Sequence, residues 1–151
     1  MELLNKSSTE DVSYDVKSVI SILKFIGIVS SKSSLQTSTT STILNYVKAK
    51  IQGFLGIPES LKSECCDLLA SLTRNKKLTA SDQALDDQTM LVDLNELIPP
   101  LGGCALNAGQ SWQLRDSAVH CLAALVVQFG PRLSRSTSDI IHQVTFIYLV
   151  V

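Results

Sequence analysis

Apolar residues recur along this chain at steps of three and four, the spacing of one helix face. Val16, Val19, Ile20, Leu23 and Ile26 predict a helix over 13–29. Its β-branched content makes a strand the rival, but the run is too long and alternates too poorly. Ile43, Leu44, Val47, Ile51, Phe54 and Leu55 predict a second helix from Thr42, stopped by Gly56-Ile57-Pro58. Ser60 is placed to accept from the free N–H groups of a third helix, which runs to about Arg74. Leu94, Leu97, Ile98, Leu101 and Leu106 predict a fourth over 91–106. Pro99-Pro100 and Gly102-Gly103 should bend or break it. Ser111 opens a fifth, which ends at Phe129-Gly130-Pro131, glycine then proline being a strong stop. Ser138 or Asp139 opens a last helix over 138–151.

The polar stretches fall between these runs. Residues 1–12 read as a flexible tail. Ten of the thirteen residues from Ser30 to Thr42 are Ser or Thr, which predicts an exposed loop. A solvated linker is preferred there to a phosphorylated one, since composition is the only signal. Asn75 to Thr89 reads as a longer loop.

Two of the helices align without gaps. Leu61-Lys62-Ser63-Glu64-Cys65-Cys66-Asp67-Leu68-Leu69-Ala70-Ser71-Leu72 lies on Leu114-Arg115-Asp116-Ser117-Ala118-Val119-His120-Cys121-Leu122-Ala123-Ala124-Leu125. Leu, a small residue and Leu at steps of four share a face, and the small residue lets a neighbouring helix come close. The base, Lys62 or Arg115, should face the groove between repeats or solvent. Each copy follows another apolar helix, so a helix pair repeats at a period of roughly fifty residues, the signature of an α-solenoid.

The pattern resembles the HEAT repeat, in Leu97-Ile98-Pro99 of one helix and the Leu-Arg-x-x-Ala-x-x-x-Leu-x-x-Leu of Leu114 to Leu125 in the next. The expected fold is all-α: about six helices stacked as antiparallel pairs in a right-handed, HEAT- or armadillo-like solenoid. The chain would hold the second helix of one repeat (13–29), two pairs (42–74 and 91–129) and a truncated first helix (138–151). One departure is plain. The family often carries an Asp six positions before the base, where it forms a ladder between repeats; here Gly56 and Gly109 stand there.

Trp112-Gln113-Leu114-Arg115-Asp116-Ser117-Ala118, followed by Leu122, Leu125, Phe129 and Gly130, is similar to a segment of the BRCA-associated ATM activator family of HEAT-repeat proteins. The Leu61-Lys62 helix and the Val16 to Val29 helix match in the same order. The resemblance implies a non-enzymatic scaffold in nucleus and cytoplasm, with DNA-damage kinases and Integrator subunits as partners. It also implies that this chain is an internal piece of a longer one, or a short product of it.

Composition narrows the alternatives. Lys plus Arg is 13 against 14 Asp plus Glu, a net charge of −1, which disfavours a dedicated nucleic-acid binder. Charged residues at 18% and hydrophobic residues at 45% exclude general disorder. Aromatics at 5% require an aliphatic core. No apolar run is long enough for a bilayer, and the N-terminus lacks a signal-peptide pattern.

Catalytic and metal chemistry find little purchase. Cys65 and Cys66 are adjacent and point to different helix faces, and Cys104 and Cys121 lack a Cys-x-x-Cys partner. A metal site would need His120, His142 and two cysteines gathered by folding; buried inert thiols are the preferred reading. His120 and Cys121 diverge as helix neighbours and cannot form a nucleophile pair. Phosphate-loop, dinucleotide and nucleophile-elbow motifs do not occur. Neither a cofactor nor a catalytic residue is expected. Trp112, Arg115, Asp116 and Lys62 stand out as partner-facing or repeat-structural. Packing in the corner of the helix pair is preferred for Trp112, and a salt bridge or cap within the array for Arg115 and Asp116.

A protein-interaction scaffold is thus the leading class, ahead of a HEAT-type nuclear transport receptor and of a thiol or metal enzyme. The apolar last helix, from Ile140 to Val151, should leave a hydrophobic patch through which the chain self-associates.

Overall fold

The computed structural model describes residues 16–32, 37–53, 57–74, 84–107, 109–129 and 135–150. Among them every regular element is helical: α1 (Val16–Lys32), α2 (Thr37–Gln52), α3 (Glu59–Arg74), α4 (Ala84–Leu106), α5 (Trp112–Phe129) and α6 (Arg135–Val150). Among the described residues there are six helices, as the periodicity predicts, and none is long and apolar enough to cross a membrane.

Neighbours in sequence pair, α2 on α3 and α4 on α5. The odd-numbered helices also pack in succession, α1 on α3 and α3 on α5, and the even-numbered ones do the same. The six therefore fall into two rows, a packing compatible with stacked helix pairs. Within the odd row the helices run parallel. The Ser111 N–H donates to the Glu59 carboxylate at 3.3 Å, and one turn further on the Ser63 and Ser117 hydroxyls meet at 2.8 Å.

Helix α3 is the most enclosed element, because α1, α2 and α5 all cover it. Its leucines 61, 68, 69 and 72 are buried, and so are Cys65, Cys66 and Ala70. Leu114, Ala118, Cys121, Leu122 and Leu125 answer from α5, and Leu94, Leu97, Ile98 and Leu101 from α4. Each such leucine or isoleucine contributes about 1.5–3 kcal/mol by leaving water. The core is aliphatic, as the scarcity of aromatics requires.

Several boundaries differ from the sequence pattern. The Ser/Thr segment is not one exposed loop: Ser30, Ser31 and Lys32 finish α1, and α2 begins at Thr37. Hydroxyls inside a helix can bond back to a carbonyl of the preceding turn, which removes their need for water. Ser30 Oγ donates to the Gly27 carbonyl at 2.9 Å and Ser31 Oγ to that of Ile28 at 2.7 Å. Ser30 and Thr40 are accordingly buried. Residues 84–89, expected in a loop, are the start of α4. Helix α6 likewise starts at Arg135, ahead of Ser138. The expected tail 1–12 and inward Phe54 and Leu55 lie outside the described residues.

Pro99 and Pro100 do not break α4, which is assigned as one helix through both. Proline costs a backbone donor and crowds the preceding turn. Here Leu94, Leu97, Ile98, Leu101 and Ala105 are fully buried around the pair, and that packing outweighs the local penalty. At α3, Pro58 displaces Ser60 from the cap: its carbonyl accepts from the N–H groups of Leu61 and Lys62, and Ser60 lies inside the first turn. Ser111 caps α5 as expected, its Oγ accepting from the Leu114 N–H at 3.2 Å.

The two adjacent glycines of α4 have opposite surroundings. A Cβ at Gly102 would sit 2.7 Å from Ile140 Cγ2 of α6, whereas one at Gly103 would meet nothing within 4 Å. Gly103→Ala should stabilise the protein by about 0.5–1 kcal/mol, the helix-propensity difference. Gly102→Ala should lose that gain and lower stability, because α6 must shift. Urea unfolding of the two variants checks this; equal effects would contradict the close approach of α4 and α6.

Candidate interaction surface

The outward side of the odd-numbered row collects the exposed apolar residues. On α5, Trp112, Asp116, His120, Ala123 and Val127 recur at helical spacing and share one stripe. Trp112 is 65% exposed and Val127 87%. On α1, Phe25 is 65% exposed and Ile28 lies open beside it. Each of these residues falls off the buried stripe of its own helix, which is the sequence signal that identifies them. Val127 is on the far side of α5 from Leu114, Cys121 and Leu125, and Phe25 is on the far side of α1 from Val16 and Leu23.

Two hollows open on the same row. One, of about 410 Å³, runs between α1 and α3. Leu23, Gly27 and Ile28 line it from α1 and Leu68 from α3, with Lys24 facing Glu64 and Asp67. A Cβ on Gly27 would rest 3.6 Å from Leu68 Cδ1, so the bare glycine leaves this channel unfilled. Burial raises the Glu64 carboxyl above its ordinary range, and Asp67 raises it further, against a partial offset from Lys24. The other hollow, of about 370 Å³, lies between the end of α3 at Arg74 and α5 at Ala124, Val127 and Gln128.

The residues singled out from sequence separate into different roles. Trp112 does not pack the corner of the helix pair; it is exposed, with the Arg115 guanidinium 5.9 Å from its ring centroid. It opens α5 directly after the cap, on the opposite side of the helix from the buried Leu114 and Cys121. Arg115 is a cap, its Nε donating to the Ala105 carbonyl at 3.2 Å in the last turn of α4. The Asp116 carboxylate turns to its own helix, 3.5 Å from His120 Nδ1, a salt bridge when the imidazole is protonated. Lys62 is not on the solvent side: it is only 8% exposed, and near enough to the Cys104 thiol of the next helix pair to act on it electrostatically, which puts it between the two pairs. With α1, α2 and α5 around α3, a side chain at that register is enclosed.

The missing Asp of the family pattern has a different counterpart. Gly109 is exposed, and Gly56 lies outside the described residues. The link between consecutive odd helices runs instead through Glu59 to the Ser111 N–H and through the Ser63–Ser117 hydroxyl contact. Sequence reasoning missed both, because the repeat pattern places Ser63 and Ser117 on their helices without showing that they meet, and Glu59 carries no motif.

All four cysteines are buried free thiols. Desolvation pushes Cys65 up to about 12 and raises Cys66, Cys104 and Cys121 as well. Cys66 lies near enough to Cys121 and Cys104 for charge on one to oppose charge on another. His120 and His142 are exposed, apart from these thiols. Among the described residues no three His, Cys, Asp or Glu are grouped to hold a metal ion.

None of the protein families, curated proteins or solved structures compared with this chain matches it.

The thiols make stability fall in alkali. Each stays protonated in the folded protein while an unfolded thiol would ionise. Their contribution is therefore full below the unfolded value of 9.0 and is lost as pH rises toward the folded value, about 12 for Cys65. Unfolding free energy should drop between pH 9 and 11 by on the order of 1 kcal/mol per pH unit for Cys65. The four thiols should also react with a disulfide reagent at pH 8 only at the rate of unfolding. A flat profile together with fast thiol reaction would contradict their burial.

Proposed function

We propose that this chain is a non-catalytic protein-interaction module, a partial HEAT-type α-solenoid within a scaffold. The observation that carries this reading is the coincidence of sequence repeat and packing. The two gapless copies, in α3 and α5, are neighbours in one row and run parallel. Stacking of equivalent helices is how solenoid repeats bury their apolar faces, and it leaves one extended surface for partners. Trp112 and Val127 lie open on one stripe of α5 and Phe25 lies open on α1, and large exposed apolar residues mark interaction sites.

The resemblance of Trp112 to Ala118 and its following leucines to the BRCA-associated ATM activator family supports a more particular reading. The chain then acts in DNA-damage kinase signalling and Integrator-linked RNA processing, in nucleus and cytoplasm. Self-association through the apolar α6 belongs to the same reading.

Immunoprecipitation tests it, using the chain and a variant carrying Phe25→Glu, Trp112→Glu and Val127→Glu. DNA-damage kinases or Integrator subunits should be recovered with the chain and at least tenfold less with the variant, at an unchanged melting temperature. Equal recovery, or recovery of neither partner class, contradicts the particular reading. Binding of a nuclear-localisation peptide or a small GTPase would point to a transport receptor. A turnover lost on Cys121→Ser or His120→Ala would overturn the non-catalytic assignment.

A further inference from the structure

The channel between α1 and α3 differs from the rest of the exposed row in combining an apolar floor with unbalanced charge. Leu23, Ile28 and Leu68 supply the floor, and Gly27 supplies the depth. Two acids, Glu64 and Asp67, face one base, Lys24. The lining of α1 from Leu23 to Ser31 spans eight helical steps. That is about 12 Å at 1.5 Å per step, the length of two helical turns of a partner.

Charge decides what can enter. A neutral or acidic segment laid on this floor would strip water from Glu64 and Asp67 and leave their mutual repulsion uncompensated. A segment with a guanidinium or ammonium group relieves that repulsion and replaces the lost water with charge-assisted hydrogen bonds. Glu64 already holds its proton more tightly than an ordinary carboxyl, through burial and the proximity of Asp67. The requirement is therefore for a cation set within an apolar stripe.

We infer that the α1–α3 channel docks a basic amphipathic helix of a partner protein, whose Arg or Lys reaches Glu64 and Asp67 while its apolar side chains rest on Leu68, Ile28 and the space above Gly27. This rests on the interaction-module reading and adds the place and the chemistry of one contact.

A random twelve-residue peptide display library, selected on the full chain and then measured on Gly27→Leu, tests the inference. Leucine at a helix-interior position has better helix propensity than glycine, and the Cβ there makes only ordinary contact, so this variant should fold and merely fill the channel. Recovered peptides should carry Arg or Lys beside apolar residues at helical spacing. They should bind Gly27→Leu and Asp67→Lys at least tenfold more weakly than the original chain, and an Arg-to-Glu peptide should regain binding to Glu64→Lys/Asp67→Lys. Peptides without basic residues, peptides indifferent to Gly27→Leu, or no enrichment would overturn the inference. So would concentration-dependent self-association abolished by Gly27→Leu, which would make a second copy the occupant. Partner recovery through Trp112 and Val127 is read separately, so the channel can fail while the scaffold reading stands.

Discussion

Two helices approach closely only where the residues between them are small, and the contact of α3 with α5 meets that condition. Ser63 touches Ser117 across it, and Cys66 lies close to Cys121. Ala118, fully buried, occupies the small position of its repeat. The two hydroxyls satisfy each other, so the seam buries polar atoms without leaving them unpaired. Everything else hangs on this contact. Helix α4 packs on α5, α6 packs on α4, and α1 completes the row on the other side of α3. Shifting α5 relative to α3 would also move Ser111 away from Glu59, and with it the start of α5.

The same geometry explains why the thiols are inert and the outer face is not. Cys65 and Cys66 point in different directions, yet both are buried, because α3 has neighbours on both flanks. The odd row keeps one free side, and there Phe25, Ile28 and Val127 remain in solvent. Chemistry that needs ionised sulfur is suppressed in the interior by desolvation. Charge and apolar area meet at the surface between α1 and α3.

Much of the fold was legible in the sequence, since long apolar stripes report helices whatever their surroundings. Leu114, Cys121 and Leu125 fall inward where their spacing puts them. The misreadings came where packing competes with local preference. Pro99 and Pro100 sit inside α4 because buried leucines surround them. Ser30 and Thr40 are buried in helices because backbone carbonyls and helix neighbours replace water. The surface was less legible. Trp112 was expected inside because aromatics usually pack, but its place at the first turn of α5 leaves it exposed. Lys62 was expected to face the groove between repeats or solvent; it lies buried between two helix pairs, because α3 is enclosed. Glu64, Asp67 and Gly27 carry no motif; only the parallel approach of α1 to α3 brings them together.

The central claim, that α3 and α5 form one cooperative seam on which the array depends, is tested most directly by native-state hydrogen exchange. Amides of Leu68 to Leu72 and of Leu122 to Leu125 should exchange only through global unfolding, and Ser117→Leu should lower the protection of both segments by the same factor. Loss of protection in α5 with α3 left intact would show two helices opening independently, and would contradict the account.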